Sequence, residues 1–192
     1  MKGILKIIGA VAVINIIARL VGFARETYIA TAFGTTLYSD SIVNAYTIPN
    51  FLYLVIGGAF TTAFISVYHK TTSSITEYIR RTFTTILITI TLVVILFIVL
   101  ADPILMQFFH VKDEAEYEML RSLYFWMMPS TIMLVLSTWM SGILNVQGRY
   151  HLSAFSVLIY NGAFLIVSVV LSIMMGPIGM GIGALVGAVC MF

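Results

Sequence analysis

The sequence predicts an all-α integral membrane protein. Of its 192 residues, 60% are hydrophobic and only 9% are charged, and the mean hydropathy is +1.05, whereas a typical globular domain carries about 25% charged residues. Two uncharged runs, 82–101 and 122–148, each reach the roughly 20 residues that a helix needs to cross the hydrocarbon core. We therefore expect bilayer-spanning helices and no soluble enzyme.

The apolar runs and the breaks between them predict about six transmembrane helices, which form a single lobe over residues 1–192. Turn-forming residues separate several of these helices, as at 33–36, 145–148 and Gly176-Pro177. The last run is about 22 Å long, which is less than the hydrocarbon thickness. We therefore expect the chain to be the N-terminal part of a longer protein, or truncated at its C-terminus. The predicted helices cover about 4–31, 41–67, 80–101, 121–144, 151–175 and 178–192.

The distribution of basic residues predicts a cytoplasmic N-terminus, because short cytoplasmic loops are enriched in Lys and Arg. In this orientation only Lys112 and Arg121 lie outside. The outer loop after the third helix is acidic, which is typical of a solvated surface and is compatible with a short surface helix. The basic residues then placed inside are Lys2, Lys6, Lys70, Arg80, Arg81 and Arg149.

Charged residues near or within the first two helices are the candidate site, because a charge at the bilayer centre costs on the order of 3 kcal/mol. Arg19 and Glu26 share one face of the first helix, and Arg25 points about 120° away from Arg19. Asp40 opens the second helix, so an ion pair of Arg25 with Asp40 or with Glu26 is sterically plausible. Two interpretations remain open. The charges neutralise one another and hold the helices together, or the arginines line a hydrated cavity and bind an anion such as a phosphate.

Proline and glycine residues predict hinges in the same two helices. Pro49 and Asn50 lie inside the second helix, where proline removes a backbone hydrogen bond. Gly57 and Gly58 add flexibility shortly afterwards, and we group Gly22 of the first helix with them. Discontinuous helices line cavities in transporters, although an ordinary packed proline kink explains the same pattern.

The rest of the sequence predicts no metal, cofactor or nucleic acid ligand. Gly179, Gly183 and Gly187 recur every fourth residue, which favours close packing of the last helix against another helix. The three histidines, His69, His110 and His151, lie in separate loops without metal-ligand spacing. No constellation of catalytic side chains is visible.

Two groups of short motifs, in order, cover most of the chain and resemble those of one known family. The first contains Ala18 to Glu26, Ala32-Phe33-Gly34, Ser39-Asp40, Ile48 to Leu52, Gly58-Ala59-Phe60 and Ala63-Phe64. The second contains Ser141 to Asn145, Arg149-Tyr150, Ala154-Phe155 and Asn161. Together they resemble the MurJ (MviN) lipid II flippases, which fall within the superfamily of multidrug, oligosaccharidyl-lipid and polysaccharide exporters.

This resemblance implies a bacterial cytoplasmic membrane transporter of about fourteen helices, in two lobes around a central cavity. Such a protein moves lipid-linked peptidoglycan precursor to the outer leaflet by alternating access. The chain would form most of the N-terminal lobe, with the C-terminal lobe as its partner. The resemblance also implies that Arg19 and Arg25 bind the substrate diphosphate, that Asp40 lines the cavity, and that Glu26 replaces an aspartate found in many members.

One segment departs from the family pattern. Many members carry two arginines and an acidic residue shortly after the Pro-Asn pair, where this chain has the uncharged residues Tyr53 to Gly57. The alternatives therefore stay open: a flippase for another undecaprenyl-linked precursor, a multidrug exporter of the same superfamily, or a membrane scaffold that transports nothing.

Overall fold

The computed structural model of the protein describes the backbone of residues 2–34, 36–68, 74–109, 111 and 113–192, and the side chains of these residues except 2–6 and 37. Lys70, Lys112, His69 and His110, named above, lie outside the described residues. The described chain is helical and contains no strand. Its helices are α1 (Lys2–Phe33), α2 (Leu37–Leu52), α3 (Gly58–Tyr68), α4 (Ile75–Val99), α5 (Ala101–Phe108), α6 (Glu114–Met127), α7 (Ser130–Val146), α8 (Tyr150–Met175) and α9 (Ile178–Met191).

Five stretches in the described ranges are long and apolar enough to cross a membrane. The all-α membrane architecture predicted from the sequence is confirmed, and the predicted sixth span corresponds to α9, which is apolar but shorter. The five stretches are Ile7–Phe33, Tyr38–Tyr68, Ile75–Val99, Glu114–Val146 and Tyr150–Met175.

The helix after the acidic segment begins earlier than the sequence pattern suggested. It starts at Glu114 instead of about residue 121, because Asp113 caps it: the backbone N–H of Glu116 donates to Asp113 Oδ1 at 2.8 Å. The stretch is then divided at Pro129, after which α7 begins. The first part of the predicted outer loop forms α5, the short helix that the acidic composition allowed.

The bundle has two ends, which we name by their composition. The N-terminal end holds the start of α1 and the turn before α8, and Ile7 and Tyr150 line one open pocket there. The acidic end holds the start of α2 and the start of α6, where Ser41 and Glu116 line another pocket.

Helices α1, α8 and α9 form one packed layer. The glycines of α9 let it approach α8 closely: a Cβ atom built on Gly187 would lie 3.0 Å from Phe164 Cβ, and one on Gly179 would lie 2.5 Å from the backbone nitrogen of Ser172. One on Gly183 would overlap the Ser168 side chain. The packing role predicted for these three glycines is therefore confirmed. Helix α8 also contacts α1, where the hydroxyl groups of Tyr28 and Ser172 hydrogen bond at 2.5 Å.

Helix α7 packs against α3 and α4 through an aromatic cluster. The Phe64 ring stacks on Tyr78, with ring centroids 5.3 Å apart, and meets Trp139 edge-on at 5.4 Å. Trp139 is fully buried. Rings in these arrangements attract beyond their burial alone, so this cluster holds α7 against α3 and α4.

The second span contains a widened turn between α2 and α3. Residues Tyr53–Gly57 form a π-helical turn that begins three residues after Asn50, and such turns are often found at functional sites. Gly57 faces α7 closely, since a Cβ atom there would lie 3.4 Å from Thr138 Cβ. Gly58 faces open space. The hinge role of these residues stays a prediction.

At the acidic end, α5 is attached to α6 by charged groups. Arg121 Nε donates to Asp102 Oδ1 at 2.7 Å, and the Tyr117 hydroxyl donates to the same oxygen at 2.8 Å. These two donors hold the pKa of Asp102 below its ordinary value, because hydrogen bonds to the charged form favour it. The pair is solvent-exposed, so it positions α5 more than it stabilises the fold.

Candidate functional site

One face of α1 carries small residues and a single charge against α8. Ala18 and Ile29 are buried on this face. A Cβ atom on Gly22 would lie 3.6 Å from Asn161 Oδ1, in ordinary contact. Arg25 lies on the same stripe, because positions three and four apart share a face of a helix. The charge is therefore inside the helix interface.

Aromatic rings from α2 and α8 surround the Arg25 guanidinium. Its central carbon lies 4.5 Å from the centroid of the Phe164 ring and 5.6 Å from that of Tyr46. The hydroxyl groups of Tyr46 and Tyr160 lie 3.3 Å apart, in hydrogen-bonding range, and the Tyr160 and Phe164 rings are 5.8 Å apart. We call Tyr46, Tyr160 and Phe164 the aromatic cage. A cation over an aromatic face is stabilised by the ring quadrupole, and more so where water is excluded.

Glu26 supplies the counter-charge. Arg25 Nη2 and Nε donate to Glu26 Oε1 at 2.6 and 3.2 Å. The Arg25 side chain is only 11% exposed and the Glu26 side chain is 54% exposed. Arg25 therefore lies in the helix interface, and Glu26 lies at its edge, next to the open face of α1. A guanidinium has five N–H donors. Among the described residues, the other three donors of Arg25 have no hydrogen-bond acceptor.

The structure brings Arg25 and Glu26 together but leaves Arg19 and Asp40 apart from them. Arg19 is exposed on α1, and its side chain makes no hydrogen bond or ion pair within the described ranges. Asp40 is also exposed, in the first turn of α2, and no described side chain pairs with it. Of the two ion pairs that were sterically plausible, the one with Glu26 is present.

A small cavity lies beside the caged arginine. It measures about 60 Å³, which suits a few water molecules. Arg25 and Glu26 form its charged wall, and uncharged side chains from α1, α2, α6 and α8 form the rest. In this conformation the described side chains pack closely around Arg25 and leave only this small cavity beside it.

The sequence did not predict the aromatic cage. Its rings come from helices far from Arg25 along the chain, and each ring alone looks like an ordinary apolar residue of a span. A partial signal exists, since Tyr160 and Phe164 are four residues apart and therefore share one face of α8. Only the packing of α8 against α1 shows that this face meets a charge.

Together, fold and site define a polytopic helical membrane protein that holds one arginine buried between its spans and exposes a second arginine on the same helix. The chain belongs to the lipid II flippase MurJ family: the family model described as "Lipid II flippase MurJ" matches residues 29–192. The matched range begins after Arg19, Arg25 and Glu26.

Individual relatives are similar over most of the chain. A "Probable lipid II flippase MurJ" of Buchnera aphidicola subsp. Schizaphis graminum is 29% identical over 173 residues, or 86% of this chain and 34% of that protein. The "Lipid II flippase MurJ" of Burkholderia cenocepacia is 28% identical over 81% of this chain and 32% of that protein. The chain thus spans about a third of the length of these curated relatives.

A solved structure has the same fold. The structure titled "Lipid II flippase MurJ, inward closed conformation" superposes with a TM-score of 0.82 at 24% identity, and the match covers 94% of this chain and 40% of that one. This likeness supports the arrangement of helices described above.

Proposed function

We propose that the full-length protein containing this chain moves lipid II, the lipid-linked peptidoglycan precursor, across the bacterial cytoplasmic membrane by alternating access. It acts as a transporter and not as an enzyme. Family membership supports the substrate class, since the relatives named above carry the name lipid II flippase. The N-terminus lies in the cytoplasm, and the part of the relatives that this chain does not cover supplies the second lobe.

The observation that carries this proposal is the state of Arg25. A guanidinium inside a membrane interface is costly unless it has partners, and here one carboxylate oxygen takes two of its five donors. The remaining donors can bind phosphate oxygens in the forked geometry that suits arginine. A diphosphate that reached the site would compete with Glu26 for Arg25 while the aromatic cage holds the cation in place.

Arg19 completes the site from the exposed face. It lies about two turns before Glu26 on the same side of α1, and an exposed charge within a span requires water or a polar partner. We place this face toward the second lobe, so that Arg19 and Arg25 bind the diphosphate from two directions. Asp40, near the acidic end, lines the same passage.

The test is complementation of cells depleted of their lipid II flippase by the full-length protein. We expect Arg19→Ala and Arg25→Ala each to abolish growth when expression is adjusted so that protein levels in the membrane match those of the wild type. Arg25→Lys keeps the charge but loses the fork, so partial activity is expected. Arg149→Ala is the matched control, because Arg149 is exposed at the N-terminal end, away from the site. Normal growth of both alanine variants would refute the proposal.

The uncharged π-helical turn favours a second candidate substrate. Tyr53–Gly57 carries no cationic side chain where many family members have two arginines, which leaves fewer contacts for lipid II. A flippase for another undecaprenyl-linked sugar fits this departure. Failure of the wild-type protein to replace the lipid II flippase, with rescue of a strain that lacks a different undecaprenyl-linked exporter, would favour that substrate. Altered drug susceptibility alone would point to a multidrug exporter, and no transport phenotype would point to a scaffold.

A further inference from the structure

A second basic feature lies on α4, outside the site of Arg25. Arg80, Arg81, Thr84, Thr85 and Ile88 line an open surface pocket of about 410 Å³ near the start of this helix. These residues lie on successive turns of one helix and face away from the aromatic cluster around Trp139. The proposed transport site uses none of them.

The pocket carries a net positive charge. Arg80 is exposed and makes no side-chain hydrogen bond or ion pair in the described part of the chain. Arg81 Nη2 donates to Glu77 Oε1 at 2.5 Å, yet its side chain remains 79% exposed. One guanidinium is therefore uncompensated, and the second is held in place by a partner that faces solvent.

The two threonines present oxygen acceptors beside these cations. The Thr84 hydroxyl donates to the carbonyl oxygen of Arg80 and the Thr85 hydroxyl to that of Arg81, both at 3.0 Å. Because each hydroxyl has one proton and two lone pairs, the protons are committed and the lone pairs remain. The pocket can therefore bind an anion at the arginines and accept hydrogen bonds from a hydroxyl-bearing group at the threonines.

The order of these groups along α4 matches the order of groups in a phospholipid. Arg80 and Arg81 directly precede the uncharged run 82–101, so they lie at the edge of the hydrocarbon, where lipid phosphates lie. Ile88 is 55% exposed and lies about 10 Å further along the helix, at the level of the acyl chains. A water-soluble anion would gain nothing from contact with the apolar Ile88 side chain.

We propose that this pocket binds an anionic phospholipid whose headgroup combines one phosphodiester with free hydroxyls, namely phosphatidylglycerol. Arg80 binds the phosphate and Arg81 supports it, while Thr84 and Thr85 accept hydrogen bonds from the glycerol headgroup. One acyl chain lies over Ile88. The inference does not depend on the transported substrate, because the pocket lies on a different helix from Arg25.

The experiment measures lipid binding to the purified full-length protein by native mass spectrometry, with phosphatidylglycerol, phosphatidylcholine and phosphatidylmethanol as probes. Phosphatidylmethanol carries the same phosphodiester charge without hydroxyls. We expect tightest binding of phosphatidylglycerol, and a loss of about fivefold in its affinity in Arg80→Gln, since one basic residue near a membrane surface contributes about that much. Thr84→Val with Thr85→Val should remove the preference over phosphatidylmethanol and leave the charge dependence.

Arg149→Gln is the matched control, because it removes an exposed positive charge from the N-terminal end without touching the pocket. An equal loss in this variant would show that net charge alone attracts the lipid and would overturn the proposal. Equal binding of phosphatidylglycerol and phosphatidylmethanol by the wild-type protein, or displacement by inorganic phosphate, would overturn it as well. Complementation by Arg80→Gln is scored separately, so loss of lipid binding and loss of transport are distinguishable.

Discussion

Two arginines six residues apart on α1 are in different surroundings. Arg25 is 11% exposed, lies against the Phe164 ring and is paired with Glu26. Arg19 is exposed and has no side-chain partner within the described ranges. Because two residues six positions apart point about 120° away from each other on a helix, a single helix can place one arginine in an interface and the other on its open face.

Arg25 and Arg19 therefore have different roles, although both are arginines of the same helix. The cost of burying the Arg25 charge is offset within the described chain, since the guanidinium contacts two aromatic rings and the Glu26 carboxylate. No described side chain offsets the cost of the Arg19 charge. For a residue of a membrane span, water, a ligand or another protein surface must then do so. Loss of Arg25 should therefore affect both folding and transport, and loss of Arg19 should affect transport alone.

The largest effect is expected from disturbing the support of the aromatic cage. Gly187→Leu places a side chain where Cβ alone would lie 3.0 Å from Phe164 Cβ, so α8 and α9 must separate or the Phe164 side chain, which contacts Arg25, must shift. Overpacking of this kind costs about 3 kcal/mol. Thermal unfolding of the purified full-length protein should show a clear fall in Tm. Gly162→Ala is the control, because no atom lies within 4 Å of a Cβ built there; similar losses in both variants would contradict the packing account.

The next effect comes from removing the counter-charge of Arg25. Glu26→Ala leaves a largely buried guanidinium without its carboxylate, which we expect to lower the free energy of unfolding by about 2 kcal/mol. Glu26→Gln keeps an oxygen acceptor and should lose less. Denaturant unfolding of the two variants measures the difference. Wild-type stability in Glu26→Ala would mean that the cage alone is enough for Arg25.

A smaller effect is expected from the rings themselves. Phe164→Leu keeps an apolar side chain but removes the closest aromatic face from Arg25, at a cost of about 1 to 2 kcal/mol. Tyr46→Phe keeps its ring and loses only the hydroxyl contact with Tyr160, so it should change stability less. If Tyr46→Phe were the more damaging change, the hydroxyl pair would matter more than the cation–ring contact.

The smallest effect concerns an exposed arginine, Arg121, which contrasts with the largely buried Arg25. Arg121 and Tyr117 lower the pKa of Asp102, so their contribution is complete above the ordinary aspartate pKa near 3.8 and is lost as pH falls through the lower folded value. We expect hydrogen exchange of α5 to increase over that acidic range. Asp102→Asn should show the faster exchange already at neutral pH; an unchanged pH profile in this variant would exclude Asp102 as the cause.

Sequence reasoning predicted the spans well because the uncharged runs leave few other choices, as in α4 and α8. It also named Glu26 as one of two plausible partners of Arg25, since neighbours on a helix are always within reach. It could not predict that Tyr46 and Phe164 surround the cation, because this depends on how α2 and α8 dock. The earlier start of α6 depends on the helix cap at Asp113. This cap is a local signal, and the lengths of the apolar runs do not reveal it.

The most direct test of the account is transport by the full-length protein in proteoliposomes. The fraction of labelled lipid II that becomes accessible to a membrane-impermeant hydrolase would be followed for the wild-type protein, Arg19→Ala, Arg25→Ala and Arg149→Ala. We expect transport by the wild type and Arg149→Ala, and loss of transport in the other two variants, with normal unfolding only for Arg19→Ala. Wild-type rates in both Arg19→Ala and Arg25→Ala would contradict this expectation.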